Sequence, residues 1–91
     1  MQFTDLKFEP LYDGVQAMVP ISDHTDHKMS IVKHKMSYGG KMGLYEIAVI
    51  GPNGEQKELD GVTQPGDTVK GFLTQEDLMT TIDTMKGLLN A

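Results

Sequence analysis

The sequence predicts an α+β domain, in which an antiparallel β-meander of about five strands packs against one C-terminal amphipathic helix. Three observations indicate this fold: apolar residues alternate along several segments, turn-forming residues separate these segments, and apolar residues follow helical spacing after Thr74. A chain of 91 residues can close one hydrophobic core but has no room for a second. We therefore expect a single domain over residues 1–91.

The first two strands are predicted as a hairpin. Apolar residues alternate from Val15 to Ile21, which is the period of a half-buried strand, and Pro20 belongs at an edge or a strand end. The polar residues 22–27 follow as a turn, and Lys28–Met36 resumes an extended, β-branched pattern.

The best core strand is Leu44–Ile50, which is apolar on both alternating faces except at Glu46. It is therefore expected at the centre of the sheet, with Tyr45 in the core. The Asn-Gly pair at residues 53–54 suits a tight turn, so Glu55–Leu59 is expected to return as an exposed strand.

The end of the chain predicts a short strand and a helix. Val69–Leu73 reads as the last strand, with Gly71 as a candidate bulge, and Phe3–Phe8 is a further candidate strand. Residues 74–77 form a capping-box sequence, so a helix should begin there. Its sheet-facing residues recur at helical spacing and are Leu78, Ile82, Met85 and Leu89, widened by Met79 and Leu88.

The basic residues are all lysine, and half of them fall in one stretch. Lys28–Lys41 holds four lysines and no acid, in a chain whose net charge is −5. Lys28, Lys33 and Lys35 could form a basic stripe for weak single-strand binding, but a solvated face is the favoured interpretation. The chain has no arginine and therefore no guanidinium group, which makes paired hydrogen bonds to guanine bases. No specific nucleic-acid recognition is expected.

The expected compartment is the cytoplasm, without a membrane. Cysteine is absent, which suits a reducing environment. The N-terminus has no basic region followed by an apolar stretch, and no apolar run approaches the roughly 20 residues of a membrane span.

The densest polar cluster is residues 23–27, with two histidines. His24 and His27, with His34 across the predicted hairpin, could converge on zinc or nickel. The alternative is a solvated loop whose histidines do not aim at one point. We favour the loop and expect no cofactor.

A glycine-rich connection at residues 37–43 is the main candidate binding segment. Such loops can turn backbone amides toward an anion, with a nearby lysine, but the spacing is not that of a P-loop, and a wide turn is the favoured interpretation. Its candidate partner- or ligand-binding residues are Tyr38, Gly39, Gly40, Lys41 and Met42.

Several stretches resemble a pattern found in small proteins of tailed phages and prophages. The matching segments are Asp13–Ala17, Ser30–His34, Ser37–Gly40, Gly43–Val49, Asp67–Thr74 and Asp77–Leu78. The resemblance implies phage origin and expression inside a bacterium, and it implies no reaction.

Together with the phage origin that the resemblance implies, these patterns predict a non-enzymatic phage accessory protein that binds a host or phage macromolecule, for example to inhibit a host process or defence. No nucleophile–base pair, cofactor motif or spaced carboxylate pair is found. A protein partner or a homo-oligomer is expected. Two alternatives stay open: an oligomer that sequesters a nucleotide, and a minor structural protein of the virion.

Overall fold

The computed structural model describes residues 1–23 and 25–89, and it shows one antiparallel sheet and one long helix. The strands are β1 (Glu9–Leu11), β2 (Gly14–Pro20), β3 (Lys28–Lys33), β4 (Tyr45–Ile50), β5 (Gln56–Lys57) and β6 (Val69–Leu73). The helix is α1 (Gln75–Leu89), and Phe3–Asp5 and Gly40–Met42 form 3-10 turns. No helix within the described ranges is long and apolar enough to cross a bilayer.

The sheet is a meander through its first four strands, in the order β1-β2-β3-β4. The last two strands then share the free edge of β4: β5 pairs with its end at Val49 and Ile50, and β6 pairs with its beginning from Tyr45 to Ala48. The α+β prediction and the central position of β4 are confirmed. The described residues form six strands, because Glu9–Leu11 pairs with β2 as a strand that was not predicted.

The core lies between one face of the sheet and α1. Cross-strand pairing places Ala17, Ile31 and Ile47 side by side on this face, since partners in register point the same way. The helix covers them with Leu78, Ile82 and Met85, which are fully buried. Leu88, predicted to widen this stripe, is instead 48% exposed. It lies about 100° around the helix axis from Leu89, which packs against the core.

The prediction of a strand at Phe3–Phe8 is wrong. The segment begins as a 3-10 turn, whose Asp5 carboxylate accepts a hydrogen bond from the Gln2 amide at 2.7 Å, and pairing starts only at Glu9. The rings of Phe3 and Phe8 both pack against Tyr45, at centroid distances of 5.7 Å. The segment therefore closes one end of the core with aromatic contacts and adds no strand.

The return strand after the predicted turn is shorter than expected. The turn itself is confirmed: the Gly54 amide donates to the Gly51 carbonyl at 3.0 Å, and Gly54 has a φ of 84°. Only Gln56 and Lys57 then pair with β4, because β6 occupies the rest of that edge.

The N-cap of α1 gives a first testable prediction. The Thr74 hydroxyl accepts a hydrogen bond from the Asp77 amide at 3.1 Å, which satisfies one of the free amides at the start of the helix. Thr74→Ala should lower the free energy of unfolding by about 1 kcal/mol in urea titrations. The control Thr80→Ala, at an exposed position within the helix, should raise stability slightly because alanine favours helix. Equal effects of the two substitutions would contradict the capping role.

Candidate interaction surface

A cluster of exposed apolar side chains lies where the β3–β4 connection meets β6. Met36, Tyr38, Met42 and Phe72 are 71, 58, 69 and 58% exposed, respectively. The rings of Tyr38 and Phe72 stack with centroids 6.5 Å apart and an interplanar angle of 20°. Met42 and Phe72 line one depression of about 400 Å³, and Met36 and Tyr38 line the next. We call these four residues the Tyr38–Phe72 patch.

Side-chain hydrogen bonds fix the backbone on which Tyr38 stands. The Ser37 hydroxyl donates to the His34 carbonyl at 2.7 Å and accepts from the His34 amide at 3.0 Å. The Tyr38 amide donates to a carboxylate oxygen of Glu46, on the neighbouring strand β4, at 2.7 Å. The connection is therefore anchored to both strands that it joins.

Close backbone approaches leave no space for side chains at two glycines of this region. A Cβ on Gly40 would lie 1.7 Å from the His34 carbonyl oxygen, and a Cβ on Gly71 would lie 2.3 Å from the Cβ of Tyr38. Both distances are far below van der Waals contact. The two glycines thus let the connection fold tightly on itself and lie directly on β6.

A β-bulge aims Phe72 outward. Tyr45 pairs with Leu73 and Ile47 pairs with Lys70, so two residues of β6 oppose the single residue between them on β4. Phe72 has a φ of 58°, which is unfavourable for a bulky side chain and costs about 1–3 kcal/mol. Its amide donates to the Tyr38 carbonyl at 3.1 Å. The bulge returns Leu73 to the core and exposes the Phe72 ring.

Exposed aromatic rings on a fixed backbone are suited to binding another macromolecule. Tyrosine, together with the other aromatic residues, is enriched in interfaces, and rings whose position is set beforehand lose little conformational entropy on binding. Methionine adds a flexible, polarisable surface that adapts to different partners. The arrangement can therefore provide apolar anchors for a partner.

The predicted binding segment contributes to the patch in part. Tyr38 and Met42 belong to it, Lys41 lines the same depression as Met42, and Gly39 and Gly40 shape the backbone. Sequence reasoning did not single out Met36 or Phe72.

Internal hydrogen bonds already use part of the anion cradle predicted as one use of this segment. Three of its amides donate to carbonyls of the segment: Gly40 to Ser37, Met42 to Gly39, and Gly43 to Gly40, at 2.9–3.1 Å. An amide that already donates to a carbonyl is not available to a phosphate. The wide turn is the better description of this segment.

The lysines of the predicted basic stripe do not lie on one surface. Lys28 and Lys33 stand at opposite ends of β3 and, being five positions apart, on opposite faces of the sheet. The Lys33 ammonium lies 4.9 Å from the centroid of the Tyr45 ring, at the end of the core. Lys35 follows β3 in the connection and lines the depression with Met42 and Phe72.

The predicted histidine site is not assembled. His24 lies outside the described residues. His27 precedes β3 and His34 follows it, which separates them by roughly 20 Å along the strand, too far to share one metal ion. Their Nδ1 atoms contact local groups: His27 the Thr25 hydroxyl at 2.8 Å, and His34 the Met36 amide at 3.2 Å. Within residues 1–23 and 25–89, no cluster of three potential ligands could hold a metal.

Comparisons with protein-family models, with curated proteins and with solved structures gave no match to this chain. Its function must therefore be inferred from the geometry of the molecule. Of the eight large apolar side chains that are exposed among the described residues, four lie in the Tyr38–Phe72 patch. This concentration makes the patch the strongest candidate for a functional surface.

Proposed function

We propose that this chain is a non-enzymatic phage accessory protein, which binds a host or phage macromolecule through the Tyr38–Phe72 patch in the cytoplasm of the bacterial host. The observation that carries the proposal is the exposure of two stacked rings on a backbone held by hydrogen bonds and close glycine contacts. The resemblance to small phage proteins supports the origin. Binding is the role that the patch supports, since it offers exposed apolar anchors.

The conformation of Phe72 supports the proposal independently of its exposure. A phenylalanine at positive φ has a strained backbone. Because the Phe72 ring is mostly exposed to water, its burial within this chain offsets little of that strain. Strained conformations cluster at binding and active sites of proteins, where the surrounding structure holds them in place. A partner that covers the ring would provide the missing burial.

The nucleotide-sequestering alternative receives less support from the geometry. Three amides of the glycine-rich connection already donate to carbonyls of the same connection. Lys41 is a single point charge. It lacks the planar guanidinium of arginine and the concave set of backbone amides that usually hold a phosphate in place.

The proposal is tested by comparing partners captured by three versions of the protein. The wild-type chain and the control Leu88→Ser should retain one stoichiometric partner from a host lysate, and Tyr38→Ser should lose it. Leu88 is a suitable control because it is also exposed and lies about 20 Å along α1 from the end of the helix that follows Phe72. Circular dichroism and thermal unfolding would verify that all three are folded. Retention by Tyr38→Ser, or no partner from several hosts, would contradict the proposal.

A further inference from the structure

The depression between Met42 and Phe72 combines an apolar floor with two cations. It is lined by Met42 and Phe72, and also by Lys35 and Lys41, whose side chains are exposed. One carboxylate lies at its margin: Asp13 accepts a long hydrogen bond of 3.4 Å from the Lys35 backbone amide and does not line the depression. The depression therefore offers apolar contact and positive charge at the same place.

The excess of positive charge is local to this side of the patch. Across Tyr38, one neighbouring depression is lined by Glu46 and Asp67 and the other by Asp67 and Lys70, so neither has an excess of lysines. Glu46 also accepts a hydrogen bond from the Tyr38 amide. A polyanion that crossed the whole patch would bring its phosphates close to these carboxylates, and the chain as a whole has a net charge of −5. A short acidic segment that stayed on the lysine side would not meet this repulsion.

We infer that the patch binds an acidic protein segment that carries an apolar side chain between or beside its carboxylates. The apolar side chain contacts Met42 and Phe72, and the carboxylates pair with Lys35 and Lys41. This inference rests on the proposed function, because it names the chemistry of the partner that the same patch would capture. Complementary charge would mainly set the association rate and the choice of partner, while the rings supply most of the affinity.

The residue types also define what the site tolerates. Methionine has three flexible torsions, so the floor can accommodate aliphatic or aromatic anchors. Lysine is a point charge on a flexible stem, so either aspartate or glutamate can pair with it. Binding should weaken as salt is added, because the two cations are exposed and therefore screened.

The inference is tested with a display library of random short peptides selected on the wild-type protein. Enriched peptides should carry aspartate or glutamate next to an apolar residue. Fluorescence anisotropy of one such labelled peptide should show about tenfold weaker binding to K35E/K41E. The two substitutions turn two attractive contacts with the carboxylates of the peptide into repulsive ones. The matched control is K28E/K57E, which changes the net charge equally at exposed lysines away from the patch, and it should bind like wild type apart from a small long-range effect.

Each outcome separates this inference from the proposed function. Selected peptides that lose affinity for Tyr38→Ser but not for K35E/K41E would overturn the acidic partner and leave the patch as a binding surface. Unchanged affinity for both variants would overturn both. Equal losses in K35E/K41E and K28E/K57E, or tighter binding of oligothymidylate than of any selected peptide, would also overturn the acidic-segment inference.

Discussion

Replacing Phe72 with asparagine should remove most of the binding through the Tyr38–Phe72 patch and leave the free energy of unfolding nearly unchanged. Asparagine tolerates the positive φ of this position, so the substitution relieves about 1–2 kcal/mol of backbone strain. It also removes the stacking on Tyr38, which contributes about 0.5–1.5 kcal/mol. The two effects offset one another in stability. Loss of a central aromatic anchor should weaken a patch-selected peptide by about thirtyfold or more in anisotropy titrations.

The control for this prediction is Phe72→Tyr, which keeps the ring, the bulge and the stacking. It should bind the same peptide with nearly wild-type affinity, since the Phe72 ring is 58% exposed and the added hydroxyl has room. Urea titrations of both variants report stability separately from binding. If Phe72→Asn lost stability by several kcal/mol, or kept its affinity, the ring would be a structural element and not an anchor.

The strands and the helix were predictable because each depends on residues close together in the chain. The alternation around Ala17 and Ile31 and the apolar run around Ile47 define the buried face of the sheet before any partner strand is known. Thr74 at the start of α1 is a similar case, since its capping hydrogen bond reaches only three residues along the chain. Local periodicity and local capping therefore predicted the core and the helix boundary.

The topology of the last strands could not be predicted in the same way. The sharing of the β4 edge by β5 and β6 depends on which residues reach that edge, and neither short strand encodes its partner. The strand predicted at Phe3–Phe8 failed for a related reason. The Phe3 and Phe8 rings are partly buried by packing on Tyr45, which is more than 35 residues away in the sequence. Such a contact is not visible in the local pattern.

The patch was predicted only in part, because Met36 was assigned to the preceding strand and Phe72 comes from a distant part of the sequence. The connection around Tyr38 was recognisable by its glycines and aromatic residue, but Phe72 was assigned only to a strand. One signal was present: Phe72 and Leu73 are adjacent apolar residues in a predicted strand after Gly71, and a regular strand can turn only one of them to the core. That the other ring would stack on Tyr38 follows only from the tertiary structure.

Adding one methyl group at Gly40 should destabilise the protein by about 3 kcal/mol and disorganise the patch. The new Cβ would lie 1.7 Å from the His34 carbonyl oxygen and 2.6 Å from the Ser37 hydroxyl. Because the nearest atom belongs to the backbone, no side-chain rotation can remove the clash. The connection must move away from the end of β3, which breaks the hydrogen bonds of Ser37 to His34. Urea unfolding would report the loss of stability, and anisotropy with a patch-selected peptide would report the loss of binding.

Gly43→Ala provides the matched control, since it places the same methyl group in the same connection. Apart from its chain neighbours, no atom of the described residues lies within 4 Å of a Cβ at Gly43, so its cost is limited to the strain of its positive φ of 75°, about 1–2 kcal/mol. Its peptide affinity should stay close to wild type, because the contacts of Tyr38 are untouched. The larger loss at Gly40 would then report the tight fold of the connection against β3, and equal losses at the two glycines would show that this close approach does not hold the patch in place.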